Sequence, residues 1–312
     1  MSRPALLLAG HGTRDPAGVA AFGAFTARIA AALAPQGVDV AGGFIELSAP
    51  PLRDAVAELT GRGHRHLVAV PLVLSAASHS KSDIPAALAR ERARHPGLGW
   101  SYGRPLGPHP VLLDLLAARI AAQSPSAVMP GLAGPRPAGP PPAGPPPAGP
   151  PPAVLLVGRG STDPDANAEV CKTARLLWEG RGYAFTETAF VSLAAPDVAA
   201  GLERCRLLGA ATVIVARYFL FPGILPDRIA DQARRYGVAH PGMHVRCTDV
   251  LGDTGELVGL VAERYHEALA GDIRMNCDVC AYRTALPGFE HRVGAAQRPH
   301  VHPHDDGHVH VH

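Results

Sequence analysis

The chain has 312 residues, enough for two domains with a sizeable core each, and a formal net charge of only +2. So small a charge, with no basic–aromatic interleaving, excludes a nucleic-acid-binding face. Five scattered cysteines exclude a disulfide scaffold. No charged segment leads into a long apolar run at the N-terminus, so neither a signal peptide nor a membrane span is expected, and the cytoplasm is the expected compartment.

Short apolar, strand-like runs alternate with longer helical stretches. Strands are expected at 5–9, 38–45, 66–74 and 99–103, and helices at 17–33, 51–60, 84–94 and 110–122. Pro51 and Pro110 fall at or near a first helical turn, where proline is tolerated. This alternation reads as an α/β unit, a doubly wound parallel sheet covered by helices.

Residues 124–152 are dominated by Pro, Ala and Gly and cannot build a core. They read as a solvated linker, either a tether that lets its flanks close on a substrate or an expansion without a role. The unit then repeats. Ala5-Leu6-Leu7-Leu8-Ala9 followed by Gly10-His11-Gly12-Thr13-Arg14-Asp15-Pro16 is matched by Val154-Leu155-Leu156-Val157 followed by Gly158-Arg159-Gly160-Ser161-Thr162-Asp163-Pro164. Phe44-Ile45-Glu46-Leu47-Ser48-Ala49-Pro50 is matched by Phe190-Val191-Ser192-Leu193-Ala194-Ala195-Pro196, and the copies then run without a gap to Leu74 and Leu220. The expected organisation is a first unit over 1–123, the linker, a second unit over 153–271, and a tail over 272–312.

In a parallel sheet, sites form outside the carboxyl ends of the strands. His11 follows the first strand, Glu46 the second, and His79 lies in the loop after the third. Two imidazoles and a carboxylate suit a divalent first-row metal with open positions. Each residue also has a plainer role: His11 as a turn residue, Glu46 as a helix N-terminal carboxylate, His79 as a surface histidine. Their coincidence on one rim favours a site, and the second copy carries Arg159, Ser192 and Leu225 instead, so it is expected to hold no metal.

The His11-Gly12-Thr13-Arg14-Asp15 block, the Phe44–Pro50 block and Pro71-Leu72-Val73-Leu74 with His79 and Asp83-Ile84-Pro85 resemble the sirohydrochlorin chelatases, the small ATP-independent chelatases of cobalamin and siroheme synthesis. The resemblance spans nearly the whole chain except the linker. It implies that His11 and His79 bind the metal, with Glu46 as a further ligand or proton acceptor. It also implies a covalent pseudo-dimer of units that act as homodimers in short relatives, with further self-association open. The substrate would be a tetrapyrrole receiving Co2+ or Fe2+, the duplicated form and histidine-rich tail favouring cobalt. No phosphate-cradling Gly-rich loop with its lysine is present, in keeping with chemistry that needs no ATP.

The carboxylates of such a substrate call for cations. Arg14, Arg53, Lys81, Arg159 and Arg217 are the candidates, each with an ordinary solvated charge as the alternative. The tail carries Cys277 and Cys280, for which the resemblance implies an iron–sulfur centre. Four thiolates are normally needed, so two chains would share a cluster or Cys171, Cys205 or Cys247 would help; Cys171 and Cys205 fall in expected helices, and a dithiol or zinc site is the competing reading. His300, His302, His304, His308, His310 and His312 alternate with other residues and suit weak metal storage or an inert tail. A non-catalytic metal carrier is the rival function. A histidine-phosphatase-like enzyme is a weaker one, because Gly10 stands where that motif has its phosphate-gripping arginine.

Overall fold

Ala5–Gly10 (β1), Val40–Phe44 (β2), His66–Pro71 (β3) and Gly99–Tyr102 (β4) form a parallel sheet in the order β2-β1-β3-β4. Ala153–Gly158 (β5), Thr186–Phe190 (β6), Thr212–Arg217 (β7) and His244–Cys247 (β8) form a second, in the order β6-β5-β7-β8. The computed structural model describes residues 3–76, 79–123, 150–272 and 285–293, the side chain of His79 excepted. Every residue of β1 and β5 is buried, as expected where helices cover both faces of a parallel sheet. The strand expected over 66–74 ends at Pro71, and Leu72 and Leu74 instead pack into the core beside a cleft.

The helices are Pro16–Leu33 (α1), Leu52–Gly61 (α2), Ile84–Arg94 (α3), Pro110–Ala121 (α4), Pro164–Trp178 (α5), Val198–Leu207 (α6), Ile224–Ala239 (α7) and Gly255–Ala270 (α8). Asp15 and Asp163 cap α1 and α5 by accepting from Ala17 N and Asp165 N, with Pro16 and Pro164 in the first turn. By length and composition alone, residues 16–36 are apolar enough to cross a bilayer. Phe22, Phe25, Ile29 and Leu33 of this helix are buried in the protein core.

Side-chain alternation along the strands sorts the layers. Leu7 and Ala9 of β1 face α2 and α3, while Leu155 and Val157 of β5 face α6 and α7. Leu6 and Leu8, with Val154 and Leu156, face the opposite way into one central core that also takes α1, α4, α5 and α8. The sequence reading assigned each unit its own core and helices. The helices are instead exchanged: α4 packs on β7 and α5, while α8 packs on β3, β4 and α1. Arg264 of α8 is buried and donates to the Pro105 and Leu106 carbonyls at 3.1 Å each. Glu267 of α8 is bidentate to Arg104 at 3.0 and 2.7 Å.

Candidate metal and tetrapyrrole site

In each sheet the strand order reverses beside the first strand of the repeat, which opens a crevice at the carboxyl ends. In the first repeat β1 leads directly into His11, and the adjacent β3 leads into the loop of His79. Two backbone bonds stitch the β1 exit to the β2 exit: Ile45 N–H donates to Gly10 O at 3.0 Å and Glu46 N–H to His11 O at 3.2 Å. Thr13 N–H adds a bond to Ser48 Oγ at 2.9 Å, and the Ser48 hydroxyl donates back to the Thr13 carbonyl. Gly12 is required here. Its φ is +112°, and a Cβ would stand 1.9 Å from Glu46 O. Gly160 repeats the device in the second unit, with φ of +85° and 1.8 Å to Ser192 O.

This framework brings His11 Nδ1 to 3.2 Å from Glu46 Oε1. The imidazole is partly buried and lines the cleft, and the carboxylate beside it is half exposed. An imidazole and a carboxylate side by side can hold a divalent cation, and either can take a proton. The backbone of His79 lies in a single π-helical turn over His79–Asp83 that opens α3, a form frequent at functional sites. Its side chain lies outside the described residues, as do Cys277, Cys280, His300, His302, His304, His308, His310 and His312. Among the described residues, no group of three or more His, Cys, Asp or Glu side chains is arranged to hold a metal.

His11 and Arg159 line one cleft of about 560 Å³, with Arg14 and Tyr218. The repeats thus face each other across it, β1 loop against β5 loop. Its mixture of apolar walls and few polar groups is that of a small-molecule site. A second hollow of about 460 Å³, between α7 and β8, shares no residue with it.

The candidate cations divide. Arg14 and Arg159 line the cleft. Arg53 is exposed on α2 beside Asp54, outside the cleft lining. Arg217 also lies outside the lining: its Nε donates to Thr248 O at 2.5 Å and its Nη2 lies 3.2 Å from Asp249 Oδ1. Lys81 is engaged across the repeats, at 2.7 Å from Asp163 and 3.1 Å from Asp165. Those hydrogen bonds raise its pKa and lower that of Asp163. Arg217 and Lys81, candidates for substrate carboxylates in the sequence, thus have acceptors within the chain in this structure.

It also missed Glu169, which accepts from Ala76 N at 2.7 Å in the loop that leads to His79. Burial raises the Glu169 pKa against the opposing effect of that amide. Of the thiols offered for a cluster, Cys171 is exposed on α5, Cys205 is buried in α6, and Cys247 is partly buried in β8. Burial, with Glu187 adding, pushes the Cys205 thiol up to about 12, so it is a packing group and no ready metal ligand.

Comparison with known proteins agrees with this arrangement. The CbiX family model matches residues 5–123 and again residues 153–268. A sirohydrochlorin cobaltochelatase of Priestia megaterium is 32% identical over 281 residues, covering 90% of this chain and 85% of that one. A sirohydrochlorin ferrochelatase of the same organism is 30% identical over 191 residues, covering 61% of this chain and 63% of that one. The structure of SirB from Bacillus subtilis with Fe3+ superposes with a TM-score of 0.69 at 25% identity, covering 87% of this chain and 97% of that one. With two matches that between them take in both sheets and the cleft, the chain belongs to the CbiX family and carries its unit twice.

Proposed function

We propose that this protein inserts Co2+ or Fe2+ into sirohydrochlorin without ATP, in the synthesis of cobalamin or siroheme in the cytoplasm. The observation that carries this reading is the His11–Glu46 pair, 3.2 Å apart at the edge of a cleft built from both repeats. The cobaltochelatase and ferrochelatase relatives supply the substrate and both metals.

Neutral His11 and His79 hold the incoming cation, with Glu46 as third ligand, and leave positions open for pyrrole nitrogens. The metal enters as a dication and two pyrrole N–H protons leave, so charge is conserved. Glu46, or a histidine released as the metal moves onto the ring, accepts those protons. Arg14 and Arg159 grip substrate carboxylates. Arg159 stands where the first repeat has His11, so duplication frees one rim from metal binding to hold the macrocycle.

The test is anaerobic absorbance of sirohydrochlorin with Co2+ or Fe2+ supplied separately. Wild-type protein should accelerate metallation, and His11→Ala and His79→Ala should each abolish the acceleration with the fold retained. Arg159→Ala should raise the KM for sirohydrochlorin and leave kcat close to wild type. Tight metal binding without any change in metallation rate would leave the carrier reading in its place.

A further inference from the structure

Leu47 and Leu193 occupy equivalent positions in the two repeats and share an unusual backbone, with φ of +65° and +62°. They are the only non-glycine residues with positive φ among those described. Each is the centre of a three-residue turn: Ser48 N–H donates to Glu46 O at 2.8 Å, and Ala194 N–H to Ser192 O at 2.8 Å. A γ-turn with positive φ at its centre is rare and strained, and glycine is the residue that relieves it. A bulky side chain there is an outlier, and such strain collects at ligand clamps.

Packing gives no reason for leucine at either place. Leu47 is 49% exposed and Leu193 60% exposed, which places them among the most exposed large apolar residues described. Both line the cleft between the repeats, and the similarly exposed Ile224 lines it too. The residues immediately before them have diverged, Glu46 against Ser192, and the loops packed beneath them have diverged as well, His11 against Arg159. The leucine stands unchanged on both rims although its immediate neighbours differ.

We infer that Leu47 and Leu193 are paired apolar jaws that contact the flat ring of the tetrapyrrole across the cleft. This rests on the proposed chelatase reading and extends it: the polar loops hold metal and carboxylates, and the two leucines hold the macrocycle between them. Their γ-turns leave both side chains exposed on the cleft lining.

The test is titration of metal-free sirohydrochlorin into the full-length protein, followed by absorbance, with Co2+ binding measured separately. The variant is Leu47→Gly/Leu193→Gly, which keeps the turn geometry. A parallel Leu47→Asn/Leu193→Asn variant retains side-chain size and tolerates positive φ. The jaws predict weaker tetrapyrrole binding by about tenfold per leucine, from lost apolar burial. Co2+ affinity should match the parent, and the melting temperature should not fall below it, since both replacements relieve the positive-φ strain. Equal sirohydrochlorin affinity in parent and a folded variant would overturn the jaws and leave the chelatase reading intact. Failure of the parent itself to bind sirohydrochlorin while still binding Co2+ would overturn both.

Discussion

Glu169 of the second repeat accepts the Ala76 amide proton of the first at 2.7 Å. Three residues further on stands His79, and beyond it Lys81 is held by Asp163 and Asp165 at the start of the same helix α5. One end of the second repeat therefore fastens both sides of the loop that carries a proposed ligand. This gives the second repeat a task in the first repeat's chemistry, beyond closing the cleft.

Glu169→Ala should loosen that loop. It removes a charge-assisted hydrogen bond, about 1.5–3 kcal/mol, and should weaken Co2+ binding. Glu169→Gln keeps an acceptor for Ala76 and should restore most of it. The pH dependence has a definite sign. Burial raises the folded pKa of Glu169 above its unfolded value, so its contribution to stability is full at acid pH and declines as pH rises through the folded pKa. The Gln variant should lack that decline and melt at or above the parent temperature at pH 8. A parallel pH profile of melting temperature in parent and Gln variant would contradict the assignment.

Local features were legible in the sequence because they are written locally. The helix expected over 84–94 is found as Ile84–Arg94, and the aspartates and prolines of the two Asp-Pro pairs cap helices where the repeat placed them. Adjacency of His11 and Glu46 followed from parallel topology alone, since both leave the carboxyl ends of paired strands. Exchange of α4 and α8 was not legible. An amphipathic helix advertises an apolar face, and periodicity does not say which sheet will cover it. Nor were the partners of Lys81 and Arg217 legible, since their acceptors lie 82 and 31 residues away in the chain. Leu47 looked like one more apolar residue in a repeated motif, because φ is not written in side-chain type.

Gly12 and Gly160 give a test of the two loops that does not involve substrate. An added Cβ would meet a carbonyl oxygen at 1.9 Å in one and 1.8 Å in the other, and both carry positive φ. Gly12→Ala and Gly160→Ala should each destabilise by about 2–4 kcal/mol, because neither backbone neighbour is free to withdraw. Gly12→Ala should also reduce Co2+ affinity by moving His11 from Glu46, whereas Gly160→Ala should spare it. Urea denaturation with Co2+ titration separates the two effects. An unchanged midpoint in either variant would refute the close approach.

Arg264 is the most deeply placed cation of the inter-repeat seam, with a side chain only 1% exposed. It meets Glu267 at 3.1 Å and the Pro105 and Leu106 carbonyls at 3.1 Å each. Arg264→Met leaves those carbonyls without their donor and Glu267 with Arg104 alone. The expected cost is about 3–5 kcal/mol, read as a lower urea midpoint. Arg264→Lys should fare little better, because an ammonium cannot reproduce the planar fork. A Lys variant as stable as the parent would show that charge alone suffices there.

Exchange of α4 and α8 also determines what the linker is needed for. Each repeat's last helix buries its apolar face against the other repeat's elements, and one core holds side chains from both sheets. Beyond that core, Arg28 meets Asp253 at 2.7 Å, Arg119 donates to Leu251 O at 2.9 Å, and the Tyr265 hydroxyl to Pro4 O at 2.7 Å. Separating the repeats would expose the apolar faces of four helices at once, at about 25 cal/mol per Å², so association should not depend on a covalent join. A protease site placed within residues 124–149 should therefore yield two fragments that elute together at the mass of the intact chain. The nicked protein should bind Co2+ and metallate sirohydrochlorin at close to the uncut rate, losing only the high effective concentration that a tether supplies on refolding. Fragments that separate on the column without denaturant would mean that the linker holds the halves together and the exchanged helices do not.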